Sequence, residues 1–225
     1  MLRDRCQSLP SGARLAGERA LAEEFGVSAM TVRQSLAQLA SEGWVRRAAG
    51  SGTYVSRPTV SMGPSLASFT EDMVRRGLTP HSALVRMEMI RPDAEIVARL
   101  ELRAGESALL VERLRFADAE PMCHEISVFP PRLAEIIMDA DMAGSLHKAL
   151  AGHSVVPEST ERMVRAIIAS DQECSLLGLP RRSPALEMVD TFYDALHRPI
   201  QHVRSRYRFD RYEVLTVIHR AANPD

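Results

Sequence analysis

Lysine is nearly missing from this 225-residue chain: of 28 basic residues only Lys148 is a lysine, and the rest are arginines. That bias reads as codon usage in a GC-rich genome, so no chemistry is drawn from it. Cysteine is scarce as well. Cys6, Cys123 and Cys174 are odd in number and far apart, which fits neither a disulfide framework nor a zinc site and points to a reducing cytoplasm. No apolar run reaches the ~20 residues that span a bilayer, and Met1-Leu2-Arg3-Asp4-Arg5 lacks the apolar core of a signal peptide. A membrane partner is not expected. Neither sign of charge is in excess, the formal net charge being -1, so the total does not mark a nucleic-acid binder.

The charge that is there is unevenly placed. Residues 1–57 carry eight arginines against five acids, a net of +3 that leaves -4 on the remainder. A basic head on an acidic body is expected where only the head meets phosphates. With 45% hydrophobic residues the chain can bury two cores. In the head, the run from Glu18 to Phe25 spaces Leu21, Ala22 and Phe25 on one helical face, and Gly26 stops it. Ser28 then caps a second helix from Ala29 to Glu42, striped by Val32, Leu36, Leu39 and Ala40 and ended by Gly43. The short joint Gly26-Val27-Ser28 forces a sharp crossing, with Val27 expected to wedge between the helices. That is a helix-turn-helix. Residues 44–47 and 53–55 read as strands around a turn at 48–52, a wing.

From Ser56 to Ser65 the composition turns to Pro, Ser, Thr and Gly, which predicts domains at 1–57 and 67–225 with a linker at 58–66. The body opens with a helix at 66–76. Strand patterns follow at 82–91, 107–116, 121–129, 158–169, 184–194, 199–208 and 212–220, with helices at 93–100, 132–138, 145–151 and 171–177. Strands that mostly follow one another predict an α+β domain on an antiparallel sheet.

The stretch from Leu9 to Val55, LPSGARLAGERALAEEFGVSAMTVRQSLAQLASEGWVRRAAGSGTYV, closely resembles the winged helix-turn-helix of the GntR family of bacterial repressors. Phe69-Thr70-Glu71-Asp72-Met73, Arg76-Gly77-Leu78-Thr79-Pro80, Glu112-Arg113-Leu114-Arg115, Glu120-Pro121-Met122, Gly144-Ser145-Leu146, Leu176-Leu177-Gly178 and the run from Arg204 to Tyr212 resemble the UTRA effector domain of the HutC subfamily. Their joint order and spacing is the specific signal. The resemblance implies a cytoplasmic homodimer on double-stranded operator DNA, modulated by a small anionic effector such as a sugar phosphate, phosphonate or organic acid. No cofactor is implied. The sheet of the body is the expected dimer face.

A recognition helix enters the major groove with its N-terminal residues at the base edges, which nominates Ser28, Met30, Thr31 and Arg33, with Arg19 on the preceding helix. Gly50, Ser51 and Gly52 would bring the wing's backbone to the DNA. Where the family usually has arginine this chain has Ala29, and where it has a basic residue the chain has Ser51. The family's first helix also runs about two turns longer than residues 1–7 permit. In the body, Arg113 and Arg115 alternate along one strand and share a face, so they repel unless an anion lies between them. That anion is either a ligand or an internal acid, with Glu112, Glu125 and Glu187 as the options.

The matching UTRA positions imply Ser68, Phe69 and Thr70 as an anion cradle at a helix N-terminus, completed by Arg113 and Arg115. They place Glu125, Ser145, His147, Gln201 and Tyr207 around the rest of the pocket. Sugar-phosphate binders of the subfamily tend to carry Glu and Tyr where this chain has Gln201 and His147. His124, His147, His153 and His202 show no helical i, i+4 pair, so no metal is expected. Cys123 and His124, adjacent on a strand, point to opposite faces and cannot act together. Two alternatives remain open: a chorismate lyase-like enzyme, since the UTRA fold is similar to that lyase's, and a DNA-binding structural protein without a ligand. A collapsed pocket beside the arginines would favour the latter.

Overall fold

The computed structural model describes residues 1–9, 12–48, 51–56, 60–62 and 65–216. The chain divides into two compact units, Met1–Val60 and Ser61–Asp225. In the first, helices α1 (Leu2–Ser8), α2 (Glu18–Phe25) and α3 (Ala29–Ser41) precede strands β1 (Val45–Ala48) and β2 (Gly52–Val55), which pair antiparallel with Val45 opposite Val55. Cys6, Leu15, Leu21, Val32, Leu36, Leu39, Val45 and Val55 form one core, so the apolar stripes read from the sequence do meet. Gly26 closes α2 in the left-handed region at φ 64°, a turn that a β-carbon would strain. Val27 does not wedge between the helices. It is 43% exposed, because that turn points it outward while Leu21 and Val32 fill the crossing.

The residues expected as a linker carry a strand, β3 (Val60–Met62), which pairs with β10 (Tyr212–Val214). The strand expected at 212–220 is correspondingly short among the described residues, and 217–220 lie outside them. The helix expected at 66–76 starts later, as α4 (Phe69–Arg75), because Ser68 and Glu71 close a capping box that sets its first turn.

The second unit continues with β4 (Pro80–Ile90), α5 (Ala94–Arg99), β5 (Ala108–Ala117), β6 (Glu120–Phe129), a 3-10 turn at Pro131–Leu133, α6 (Ala134–Met138) and α7 (Leu146–Ala151). After these come β7 (Ser159–Ile168), α8 (Asp171–Leu176), β8 (Pro184–Tyr193) and β9 (Pro199–Arg208). Six strands form one antiparallel sheet in the order β4-β5-β6-β9-β8-β7, so the α+β class holds. Leu133, Ile137, Leu146 and Leu150 pack on Leu109, Val111, Phe129, Phe192, Ile200 and Val203, burying one face of the sheet under α6 and α7. The central strands are buried or half-buried along nearly their whole length. Exposed apolar side chains of the sheet lie on its edge strands, Leu84, Val85 and Met89 on β4 and Met163, Val164 and Ile168 on β7.

Candidate functional site

In the first unit, Ser28 caps α3: its Oγ accepts the Thr31 N–H at 3.1 Å and lies 2.9 Å from the Thr31 hydroxyl. Both hydroxyls therefore have an internal partner while staying exposed beside Met30, at the helix end that faces outward. Ser28→Ala removes an orphan-donor partner, and a loss of about 1 kcal/mol in the stability of this unit is expected by thermal denaturation. Arg33 is also engaged. Its Nε and Nη2 lie 3.0 and 2.9 Å from the same Glu18 oxygen, on α2, although the arginine remains 58% exposed. The contact pulls the Glu18 carboxyl below its ordinary range and raises Arg33. Arg19 lies exposed on α2.

In the wing, Ser51 Oγ is 2.6 Å from the Tyr54 hydroxyl. Gly52, at φ 125°, leaves the space where a β-carbon would meet Arg14 Nε at 3.0 Å, so glycine there serves both backbone and packing. Gly50 lies outside the described residues.

In the second unit, cross-strand register assembles the site. Arg113 faces Glu125 directly, Glu125 faces Ser205, Arg115 faces Cys123 and Cys123 faces Tyr207. Val203 faces Asp190, which faces Arg162. Side chains at these positions share one face of the sheet. All of them but Cys123 line a cavity of about 50 Å³ with Ala67, Ser68, Phe69, Ser145, Leu146, His147, Phe192 and Gln201. Nine of the ten sequence-nominated effector residues line this cavity. Thr70 does not, because its hydroxyl turns to accept from Arg115 Nη2 at 3.1 Å.

The anion between the arginines is Glu125. Arg113 donates to Oε1 from Nε and Nη2, and Arg115 Nη1 reaches both oxygens at 3.1 and 2.9 Å. Of the three acids considered, Glu112 and Glu187 stand on the opposite sheet face, with His124 and Arg206 respectively, and cannot serve. Burial opposes charge on Glu125, but the two guanidiniums outweigh it and hold the carboxyl at about 2. For Arg113 burial wins and pushes the guanidinium down, although arginine stays protonated at any physiological pH. Arg115, 4% exposed, also stacks over the Phe69 ring at 4.7 Å, and its Nε is buried without a partner.

The anion cradle at α4 is altered by its own cap. Glu71 accepts the Ser68 N–H at 2.7 Å and the Ser68 hydroxyl at 3.0 Å, so those donors already have a carboxylate. Ser145 caps α7 and reaches Ser68 Oγ at 3.5 Å. His147 Nε2 lies 2.7 Å from Gln201 Oε1, and Gln201 Nε2 donates to Ser127 Oγ at 2.9 Å. That chain puts the imidazole proton on Nε2, and burial lowers the His147 pKa and keeps the ring neutral. Tyr207 stacks on Tyr212 at 3.9 Å, and burial raises its phenol well above the usual range.

Sequence reasoning missed Asp190 and Arg162, which pair at 2.6 Å in the cavity wall, with burial raising the Asp190 carboxyl against the pull of Arg162. A lone acid inside the largely apolar run Met188-Val189-Asp190-Thr191-Phe192 was the available signal. It also missed Glu18. Among the described residues no cluster of His, Cys, Asp and Glu fits a metal ion, and no helix is long and apolar enough to cross a membrane.

A winged helix-turn-helix joined in one chain to a larger domain with an arginine-lined cavity is the build of a DNA-binding transcriptional regulator. Residues 3–55 match the bacterial regulatory proteins of the gntR family, and residues 75–213 match the UTRA domain. The chain belongs to the GntR family, with a UTRA domain behind its DNA-binding head. It is 35% identical over 200 residues to the HTH-type transcriptional repressor NagR of Bacillus subtilis, covering 88% of this chain and 82% of that one. The mannosyl-D-glycerate transport/metabolism system repressor MngR of Escherichia coli is 28% identical, with 96% and 90% covered. The crystal structure of PhnF from Mycobacterium smegmatis superposes with a TM-score of 0.74 at 28% identity, covering 97% of both chains. These relatives are regulators and not enzymes, so the lyase alternative is not favoured.

Proposed function

We propose that this regulator is a one-component switch in which a small anion entering the Arg113–Arg115 cavity changes the affinity of a homodimer for operator DNA. The observation that carries the reading is a cavity lined by two arginines that share one carboxylate, with the Arg115 Nε buried and unpartnered. A buried donor without an acceptor costs free energy, and an incoming anion supplies the acceptor. Ser68, Phe69, Arg113, Ser145, His147, Gln201 and Tyr207 would bound the ligand, and Thr70 would act by steering Arg115. At about 50 Å³ the cavity holds one or two waters, the tight pocket that the ligand-free alternative expects, so a ligand of sugar size requires its walls to open. Coupling of binding to such a change is what a switch needs.

On the DNA side, Ser28, Met30, Thr31 and Arg33 would meet the major groove, Arg19 the backbone, and Gly50, Ser51 and Gly52 the neighbouring sugar-phosphate edge. Repression is the direction carried by the names of NagR and MngR. A second copy would cover the apolar edge of β4 or β7 and set two recognition helices at half-site spacing. The test is a thermal-shift screen of phosphorylated sugars, phosphonates and aromatic acids. A hit at a hundred times its Kd stabilises by about 2.7 kcal/mol, a shift of several degrees that Arg113→Ala abolishes. If no anion raises the melting temperature, the cavity is not a sensor.

A further inference from the structure

We infer that Glu18 is a positioning residue for base recognition, holding the Nε edge of Arg33 so that the opposite edge of the guanidinium is presented to guanine. The inference rests on the proposed role of Arg33 in the major groove. Arginine has two hydrogen-bonding edges: one made by Nε and Nη2, the other by Nη1 and Nη2. Glu18 Oε2 takes the first, at 3.0 and 2.9 Å. The second edge keeps one Nη1 proton and one Nη2 proton, the pair that matches guanine O6 and N7.

The other Glu18 oxygen faces a different element. Arg47 on β1 approaches Oε1 at 4.0 Å and also donates from Nη2 to the Arg33 carbonyl at 3.3 Å. The carboxylate is thus held from two sides, by α3 and by the wing strand, which limits the positions Arg33 can sample before DNA arrives. Preorganisation of this kind raises affinity for the matching base, because less side-chain freedom is lost on binding.

Stability alone does not account for the arrangement. Arg33 and Arg47 are 58% and 45% exposed, and ion pairs of that exposure add little to folding. Nor does it favour DNA binding in general, because an acid beside the recognition helix repels phosphates. Glu18 therefore works against binding to any duplex and in favour of a duplex that offers guanine in register. The consequence is selectivity.

The test uses the full-length protein and duplexes that it selects from a randomised library, with affinities read by fluorescence anisotropy at one fixed salt concentration. Each G·C pair of the selected half-site is exchanged for A·T in turn, and a scrambled duplex measures non-specific binding. Glu18→Gln removes the charge, while Glu18→Asp keeps it and shortens the reach. Both are expected to reduce discrimination at one G·C pair by about two- to fivefold, the range set by an exposed ion pair. Only Glu18→Gln should bind the scrambled duplex more tightly than the native protein. Arg33→Ala should lose discrimination at that same pair, and adding Glu18→Gln to it should change nothing further there.

If operator and scrambled duplex shift in parallel in both Glu18 variants, with discrimination intact at every pair while Arg33→Ala loses it, the positioning role is wrong and the recognition helix stands. If Arg33→Ala itself keeps full discrimination, the recognition-helix reading has failed. Unchanged melting temperatures in the variants keep either outcome from being a folding defect.

Discussion

Glu125→Gln is expected to destabilise the effector domain by about 3–5 kcal/mol, the loss typical of removing one partner of a buried ion pair. The substitution is nearly isosteric, so packing is conserved and the change isolates charge. Arg113 and Arg115, 2% and 4% exposed, would then confront each other without the carboxylate they share, because Asp190 on the same face is paired with Arg162. Denaturant unfolding followed for this domain measures the effect.

The same carboxylate sets an acid limb. Its folded pKa, near 2, lies below the ordinary carboxylate value, so its contribution is complete above about pH 4.5 and is lost as pH falls toward 2. That depression corresponds to about 3 kcal/mol, in line with the mutational estimate. Stability of the native protein should therefore fall steeply between pH 4.5 and 2, and the Glu125→Gln variant should lack this component of the slope. An unchanged slope would remove Glu125 as the internal counter-anion.

Arg33→Ala is expected to weaken binding to a selected operator by about ten- to a hundredfold, corresponding to ~1–3 kcal/mol for a bidentate base contact. The fold should survive, because Arg33 is exposed and its partners Glu18 and Arg47 remain solvated. Binding to a scrambled duplex should change much less. The loss of one phosphate contact would weaken all sequences alike and lower the salt slope by about one, so the two roles separate in a single titration series. Equal affinity of the native and variant proteins for the operator would leave the recognition helix without its central contact.

Much of this geometry was legible because it follows from periodicity. Alternation along β5 puts Arg113 and Arg115 on one face whatever the rest of the chain does. The cap residue Ser28 and the stop at Gly26 likewise mark the helix ends locally. What could not be read was register. Glu112 adjoins Arg113 in sequence and alternation already sends it to the other face, but only pairing of β5 with β6 puts Glu125, twelve residues on, opposite Arg113. Strand β3 escaped for a similar reason, since its composition is that of a linker and its partner β10 comes at the other end of the domain. The Glu18–Arg33 contact depends on the crossing of α2 and α3, which apolar stripes predict only in outline.

The α4 cradle shows a subtler limit. Ser68 is at a helix N-terminus as expected, but Glu71, three residues on, folds back onto it and supplies an acceptor for the same donors. A capping box and an anion site use the same atoms, and the sequence alone does not say which has them.

The switch itself is tested most directly by operator affinity with and without a bound anion. Anisotropy of a selected operator duplex should be titrated with native protein alone and with the anion that raises the melting temperature most, at saturation and fixed ionic strength. The account predicts a change in Kd of at least about tenfold, a coupling of some 1.4 kcal/mol, that disappears in Arg113→Ala. An anion that stabilises the protein through Arg113 yet leaves operator affinity unchanged would contradict it.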